Sequence, residues 1–205
     1  ERHPESVAAA FAHPDAPYPT AGQLRDALFD AVAGRDGEDA VNALRIRYRE
    51  VLASIAVRDL GAPDPLTSQP AASAALSDLA GATLDAALRL VRREVAGSAR
   101  VRASAEQIEA TRLAIIAMGK TGARELNYLS DVDVIFVAES ADTDLVSTDQ
   151  AIAIAARLAS ETMKVIDGIA REPMLWEVDA NLRPEGRKGA LVRTLVSHTA
   201  YYERW

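Results

Sequence analysis

The sequence predicts an α+β fold, a helical amino-terminal region (1–110) leading into a small mixed-sheet core (111–205), on three observations. Apolar residues recur at three- and four-residue steps through much of the first hundred positions. From residue 112 this gives way to short runs rich in β-branched residues, bounded by Gly, Pro and polar residues. The second half then reads strand, strand, helix, strand, strand, which makes a compact α+β core.

In the first half, Leu24, Leu28 and Val32 mark a short helix over 21–33. Val41, Leu44, Tyr48, Val51, Leu52 and Ile55 form one apolar stripe and predict a helix over 38–60. GAPDPLTSQP (61–70) holds one Gly and three Pro and reads as a loop. Leu76, Leu79, Leu84, Leu88, Val91 and Val95 predict the next helix, to about Ala96, with Gly97 placed to end it. This Ala-rich half carries no chemistry of its own and reads as a support or docking surface.

In the second half, LAIIAMG (113–119) is a buried-strand pattern, and DVDVIFVAE (131–139) alternates at its start and is a second strand. Ser147 with Gln150 forms a capping box that opens a helix to about Ile166, with Ile152, Ala155, Leu158, Ala159, Met163 and Ile166 on its apolar face. MLWEVDANLRP (174–184) predicts a third strand and Ala190–Thr194 a fourth. Pro184 and Gly186 turn the chain between them.

Composition bounds the function. Apolar residues make up 49% of the 205, enough for a sizeable core, and the net charge of −7 opposes a general nucleic-acid binder. No cysteine is present, so disulfides and thiolate zinc sites are excluded. His3, His13 and His198 are scattered and read as ordinary surface or core histidines. No apolar run approaches the ~20 residues that span a bilayer, and the start lacks signal-peptide order, so no membrane partner and a cytoplasmic location are expected. The absence of an initiator Met marks the chain as a fragment of something longer.

The chemistry concentrates in SDVDVIF (130–136). On a strand, Asp131 and Asp133 project to one face while Val132 and Val134 point into a core. Two carboxylates side by side repel unless a hard cation neutralises them, and Mg²⁺ takes one or two carboxylates together with phosphate oxygens. A D-x-D on its own is more often a solvated acidic face; its surroundings argue for the cation. GKTG (119–122) precedes the pair, where Gly119 permits close backbone approach to a phosphate and Lys120 supplies charge. Downstream, Glu177, Asp179, Asn181 and Arg183 share one face of the predicted third strand, and Asp179 completes a two-metal carboxylate set. Arg183, Arg187 and Arg193 are candidates to hold phosphate groups, arginine being suited to bidentate contacts, whereas Lys188 reads as loop charge. Ser130 is a further nucleotide or phosphate contact or else a turn residue, and Glu125 a supporting acid or a surface residue.

Gly119-Lys120, ten residues, then Asp131-Val132-Asp133 resembles the signature of the DNA polymerase β-like nucleotidyltransferase superfamily, with Lys where Ser is more usual. The longer stretches AMGKTGARELNYLSDVDVIF (117–136), WEVDANLRPEGRKGALVRTL (176–195) and YYERW (201–205) resemble the glutamate–ammonia-ligase (glutamine synthetase) adenylyltransferase family. RYREVLASIAVRDL (47–60) is similar to that family's helical segment before the catalytic core.

That resemblance implies a polymerase β-like core, with Asp131, Asp133 and Asp179 holding Mg²⁺ or Mn²⁺. It implies phosphate or nucleotide contacts from Gly119, Lys120, Ser130, Arg183 and Arg187. Family members carry two similar domains in tandem: one removes AMP from a tyrosine of glutamine synthetase by phosphorolysis, yielding ADP, and the other attaches AMP from ATP. ELNYLSD, with Asn127, resembles the amino-terminal, removing copy; the other copy more often reads ELGYGSD. The implied partners are glutamine synthetase, ATP or ADP, phosphate, and signalling proteins of the PII type. The alternatives are the ATP-dependent direction and a catalytically inactive docking domain.

Overall fold

The computed structural model describes residues 3–96 and 103–204. Its elements, in chain order, are α1 (Pro4–Ala10), α2 (Ala21–Val32), α3 (Gly37–Leu60), α4 (Pro65–Ala96), α5 (Ala105–Glu109), β1 (Thr111–Ala117), α6 (Gly119–Gly122), β2 (Val132–Ser140), α7 (Thr148–Asp167), β3 (Val178–Asp179), a 3₁₀ turn (Gly186–Lys188), β4 (Val192–Arg193) and α8 (Leu195–Tyr202). The fold is α+β, as expected, with a helical region leading into a small mixed sheet. Gly97, expected to end α4, lies outside the described residues.

α4 is the axis of the helical region. Its 32 residues span roughly 48 Å at 1.5 Å per residue. Small side chains such as Ala75, Ala80, Ala82, Ala86 and Ala87 are buried between Leu76, Leu79, Leu90 and Val91, which lets α2, α3 and α7 all approach it. α2 begins at a capping box, Thr20 with Gln23. α3 buries Leu44, Tyr48, Val51 and Ile55 along the predicted stripe.

The loop expected over 61–70 is shorter. α4 begins at Pro65, where the missing N–H costs nothing, and Pro70 lies inside the helix. Asp64 caps this end, accepting from the Leu66 N–H at 3.0 Å and the Thr67 hydroxyl at 2.5 Å. The bond Pro70 cannot make would go to the carbonyl of Leu66, an exposed residue whose carbonyl can meet water instead.

β2 is the central strand. β1 pairs antiparallel along one edge, Ala117 opposite Val134 and Thr111 opposite Ser140. β3 and β4 follow one another, both parallel, along the other edge: Asp179 opposite Asp133, and Val192 opposite Phe136. Val132, Val134, Phe136 and Ala138 are buried on one face, against α7 and the helical region, in a core continuous with that of α2–α4. α7 starts at the predicted Ser147–Gln150 capping box. Its buried face is rotated from the expected one, taking in Ile154 and Val165 while Ile152 and Met163 are only partly buried.

The third strand is far shorter than 174–184. Only Val178 and Asp179 pair with β2, preceded by one bond from the Val132 N–H to the Glu177 carbonyl at 2.9 Å. Before them, the Pro173 and Met174 carbonyls accept from the Arg49 guanidinium and the Leu175 N–H bonds to the Ile166 carbonyl. After them, Asp179 Oδ1 accepts from the Asn181 N–H at 2.7 Å, and the chain turns, passing through Glu185 at φ 65°. Glu177, Asp179, Asn181 and Arg183 therefore do not share one strand face.

Candidate nucleotidyl-transfer centre

Asp131 immediately precedes β2, Asp133 is its second residue, and Asp179 ends β3 directly opposite Asp133. This topology brings the three predicted carboxylates together: each offers an oxygen, and the three oxygens lie within 4.8 Å of one another. Asp131 is exposed; Asp133 and Asp179 are half-buried. Burial first, then the negative charges of Asp131 and Asp179, push the Asp133 carboxyl above its ordinary value, while Lys120 pulls it down. Lys120 thus offsets the repulsion only in part.

Besides the phosphate approach expected of it, the glycine of the GKTG segment meets a neighbour within the fold itself. β1 ends at Ala117, the Met118 N–H bonds to the Asp133 carbonyl at 2.8 Å, and Gly119 then opens α6 at φ 50°. A β-carbon on Gly119 would overlap the Asp133 carboxylate. Only Gly meets both demands, a left-handed backbone and no side chain against Oδ2. Gly119→Ala is therefore expected to displace the Asp133 carboxylate and weaken Mn²⁺ binding at least about tenfold, the scale seen when a ligand loses its support. Calorimetric titration reads this, and an unchanged affinity would show that the Asp133 carboxylate does not depend on the close approach.

Of the remaining predicted contacts, Lys120 is exposed on α6 and close enough to Asp133 to act on its charge. Ser130 donates to Asp131 Oδ1 at 3.4 Å. Arg183 is committed elsewhere: its guanidinium donates to the carbonyls of Ala180 (2.7 Å), Gly189 (3.1 Å) and Arg187 (3.4 Å), closing the turn after β3. Arg187 is exposed in the 3₁₀ turn. Arg193 is paired with Glu185 at 2.7 Å. Glu125 is exposed, its N–H bonded to the Lys120 carbonyl. The histidines do not gather: His3 is bonded to Glu172 and His198 is buried in α8.

Sequence reasoning missed what holds this arrangement from behind. Ser77, Asp78 and Asp59 reach the segment before Asp131 from the helical region. No local pattern marks such residues, because their partners lie 46 to 69 positions away.

The profile of the glutamate-ammonia ligase adenylyltransferase family matches residues 2–205. Curated relatives described as bifunctional glutamine synthetase adenylyltransferase/adenylyl-removing enzymes include one from Leifsonia xyli subsp. xyli, 52% identical over 203 residues, 96% of this chain and 20% of the relative. Another, from Bifidobacterium longum subsp. infantis, is 46% identical over 178 residues, 85% of this chain and 15% of the relative. A third, from Mycolicibacterium smegmatis, is 43% identical over 210 residues, 99% of this chain and 19% of the relative. The chain spans a fifth or less of the length of these relatives. On a match running through both the helical region and the carboxylate centre, the chain belongs to the glutamate-ammonia ligase adenylyltransferase family.

Proposed function

We propose that residues 111–205 form a metal-dependent nucleotidyl-transfer core, with 1–110 as its helical support, and that it removes AMP from a tyrosine of glutamine synthetase by phosphorolysis. The observation that carries this reading is the convergence of Asp131, Asp133 and Asp179 within 4.8 Å, with Gly119 held against Asp133. An all-oxygen donor set of three carboxylates suits Mg²⁺ or Mn²⁺, which Asp131, Asp133 and Asp179 would hold. Bound there, such ions would supply positive charge to the phosphoryl oxygens.

The residues of the chain supply position and charge. Asp131, Asp133 and Asp179 hold the ions, and Asp133 and Asp179 are fixed relative to one another by the β2–β3 pairing. Lys120, Ser130, Arg187 and the backbone at Gly119 face the phosphate groups. Arg183 shapes the turn that presents Arg187. In the reaction a phosphate oxygen attacks the phosphorus of adenylyl-tyrosine, the bond from phosphorus to the tyrosine oxygen breaks, the proton of the attacking phosphate passes to that oxygen, and ADP and the unmodified tyrosine side chain result. Catalysis by positioning and charge stabilisation needs no covalent enzyme intermediate. In the longer protein, ATP and proteins of the PII type complete the set of partners.

The ELNYLSD segment supports the removing direction, and the relatives' names cover both directions. A paired assay tests it: adenylylated synthetase with phosphate and Mn²⁺ is expected to release ADP, whereas unmodified synthetase with ATP gains no label. Label transfer from ATP alone would reverse the direction. Absence of both, with no Mn²⁺ binding, would make the chain a docking module.

A further inference from the structure

We propose that the helical region sets the metal affinity of the centre by clamping the segment that carries Asp131, with Tyr128 and Asp59 as its positioning pair. This rests on the metal-centre reading above.

Residues 123–130 connect α6, which opens at Gly119, to Asp131. Alternate residues of this connection are tied to the helices. The Arg124 guanidinium meets Asp78 Oδ2 of α4 at 2.6 Å. The N–H of buried Leu126 donates to Ser77 Oγ at 3.2 Å, and the Ser77 hydroxyl donates in turn to the Ser73 carbonyl at 3.0 Å. The Tyr128 hydroxyl donates to Asp59 Oδ2 of α3 at 2.8 Å, while Asp59 Oδ1 takes the Ser68 hydroxyl at 3.3 Å. Leu126 is buried, whereas Arg124, Glu125, Asn127, Tyr128 and Leu129 are exposed.

Two further features mark the connection as held rather than merely laid down. Arg124 sits at φ 61°, a left-handed conformation seldom adopted by residues with a β-carbon, and such backbone persists where its surroundings over-determine it. Burial, then the hydrogen bond to Asp59, push the Tyr128 phenol above its ordinary value, which favours its donor form.

Asp131 needs this support more than its partners do. Asp133 and Asp179 lie within paired strands; Asp131 precedes β2, is exposed, and takes the Ser130 hydroxyl. Its place relative to the other two is set on one side by Val132, bonded to the Glu177 carbonyl, and on the other by the connection, whose last tie to the helices is Tyr128. A carboxylate free to wander from the cluster lowers cation affinity without altering the core.

The test is Mn²⁺ titration, by calorimetry or by the loss of the free-ion paramagnetic resonance signal, on the protein and on Tyr128→Phe, Asp59→Ala, the double variant and Asp133→Asn. Tyr128→Phe and Asp59→Ala are each expected to weaken binding about three- to tenfold, less than loss of a direct ligand partner. The double variant should be no weaker than the weaker single variant, because both remove one shared hydrogen bond. Tyr128→Phe should also hasten amide exchange at 127–131 in metal-free protein and leave Tm within about 2 °C. Arg124→Met, at an exposed guanidinium, gives the same readout should Tyr128→Phe fail to fold. Wild-type affinity in Tyr128→Phe and Arg124→Met, with binding lost in Asp133→Asn, overturns the clamp alone. Wild-type affinity in Asp133→Asn overturns the metal centre, and the clamp with it.

Discussion

Asp133→Asn is expected to lower metal-dependent release of ADP from adenylylated synthetase by at least about 10²–10³-fold, and at the same time to raise the Tm of the metal-free protein. Asn keeps the shape of the side chain and its fit beside Gly119 but removes one of three negative charges that crowd within 4.8 Å. The sign of the stability effect follows from that crowding. Burial and the two neighbouring carboxylates hold the Asp133 carboxyl above its ordinary value, so its charged form is disfavoured in the folded state relative to the unfolded one. At neutral pH the wild-type charge therefore works against folding, and neutral Asn relieves it. Adding Mn²⁺ reverses the order, because an ion that binds only the folded state stabilises the wild type and not the variant. Thermal melts of both proteins with and without Mn²⁺ give the four numbers required. A variant that turns over normally, or whose metal-free Tm falls as a core substitution would make it fall, would refute the assignment of Asp133.

Much of this was legible in sequence because it depends on local rules. The capping box of α7, the stripe of α3 and the alternation of β2 are each written within a few consecutive residues. The D-x-D pair was readable for the same reason: period two places Asp133 opposite the buried Val132 and Val134, whatever the rest of the chain does. Asp179 was readable as a third acid, but its register with Asp133 is a fact of pairing between strands 46 residues apart. What failed to show was decided by side chains acting on distant or competing backbone. Asp179 accepts the Asn181 N–H and Arg183 claims nearby carbonyls, which ends a strand whose composition alone would continue it. Pro70 was taken as a loop residue, yet the Asp64 cap and a long buried apolar face outweigh one lost hydrogen bond. The close packing of Gly119 against the Asp133 carboxylate was not legible either, because the two meet only once β1 and β2 pair.

Arg45→Met is expected to destabilise the fold by about 3–5 kcal/mol, the loss seen when a buried charge is taken from its partners, and to lower Tm by roughly 10 °C. Nothing in the apolar stripe of α3 announces this residue, and a charged side chain on that stripe would ordinarily be placed at its edge. Arg45 is instead fully buried. Its role follows from an account of the carbonyls at the end of α7, where the last turn has no helical N–H groups left to meet. Lys164 receives the Gly168 N–H and Ile166 the Leu175 N–H. Val165 receives Nε and Nη2 of Arg45 at 3.0 and 2.9 Å. The same guanidinium reaches the Gly168 and Glu172 carbonyls, each at 2.8 Å. Burial and nearby Arg49 pull the Arg45 pKa down, Asp167 and Glu172 oppose them, and a guanidinium stays charged throughout, favoured at a helix C-terminus. Met fills much of the volume but leaves three carbonyls without a donor. Arg45→Lys should rescue little, since one ammonium cannot span carbonyls that a planar fork reaches from several directions. Chemical denaturation of wild type, Met and Lys variants decides this, and a Lys variant as stable as wild type would show that charge alone suffices. The effect should extend to catalysis, because the segment from 168 to 172 leads through residues 173–177 to β3. A protein that still folds with Met at this position should hold Asp179 loosely and bind Mn²⁺ more weakly, although residue 45 touches none of the three carboxylates.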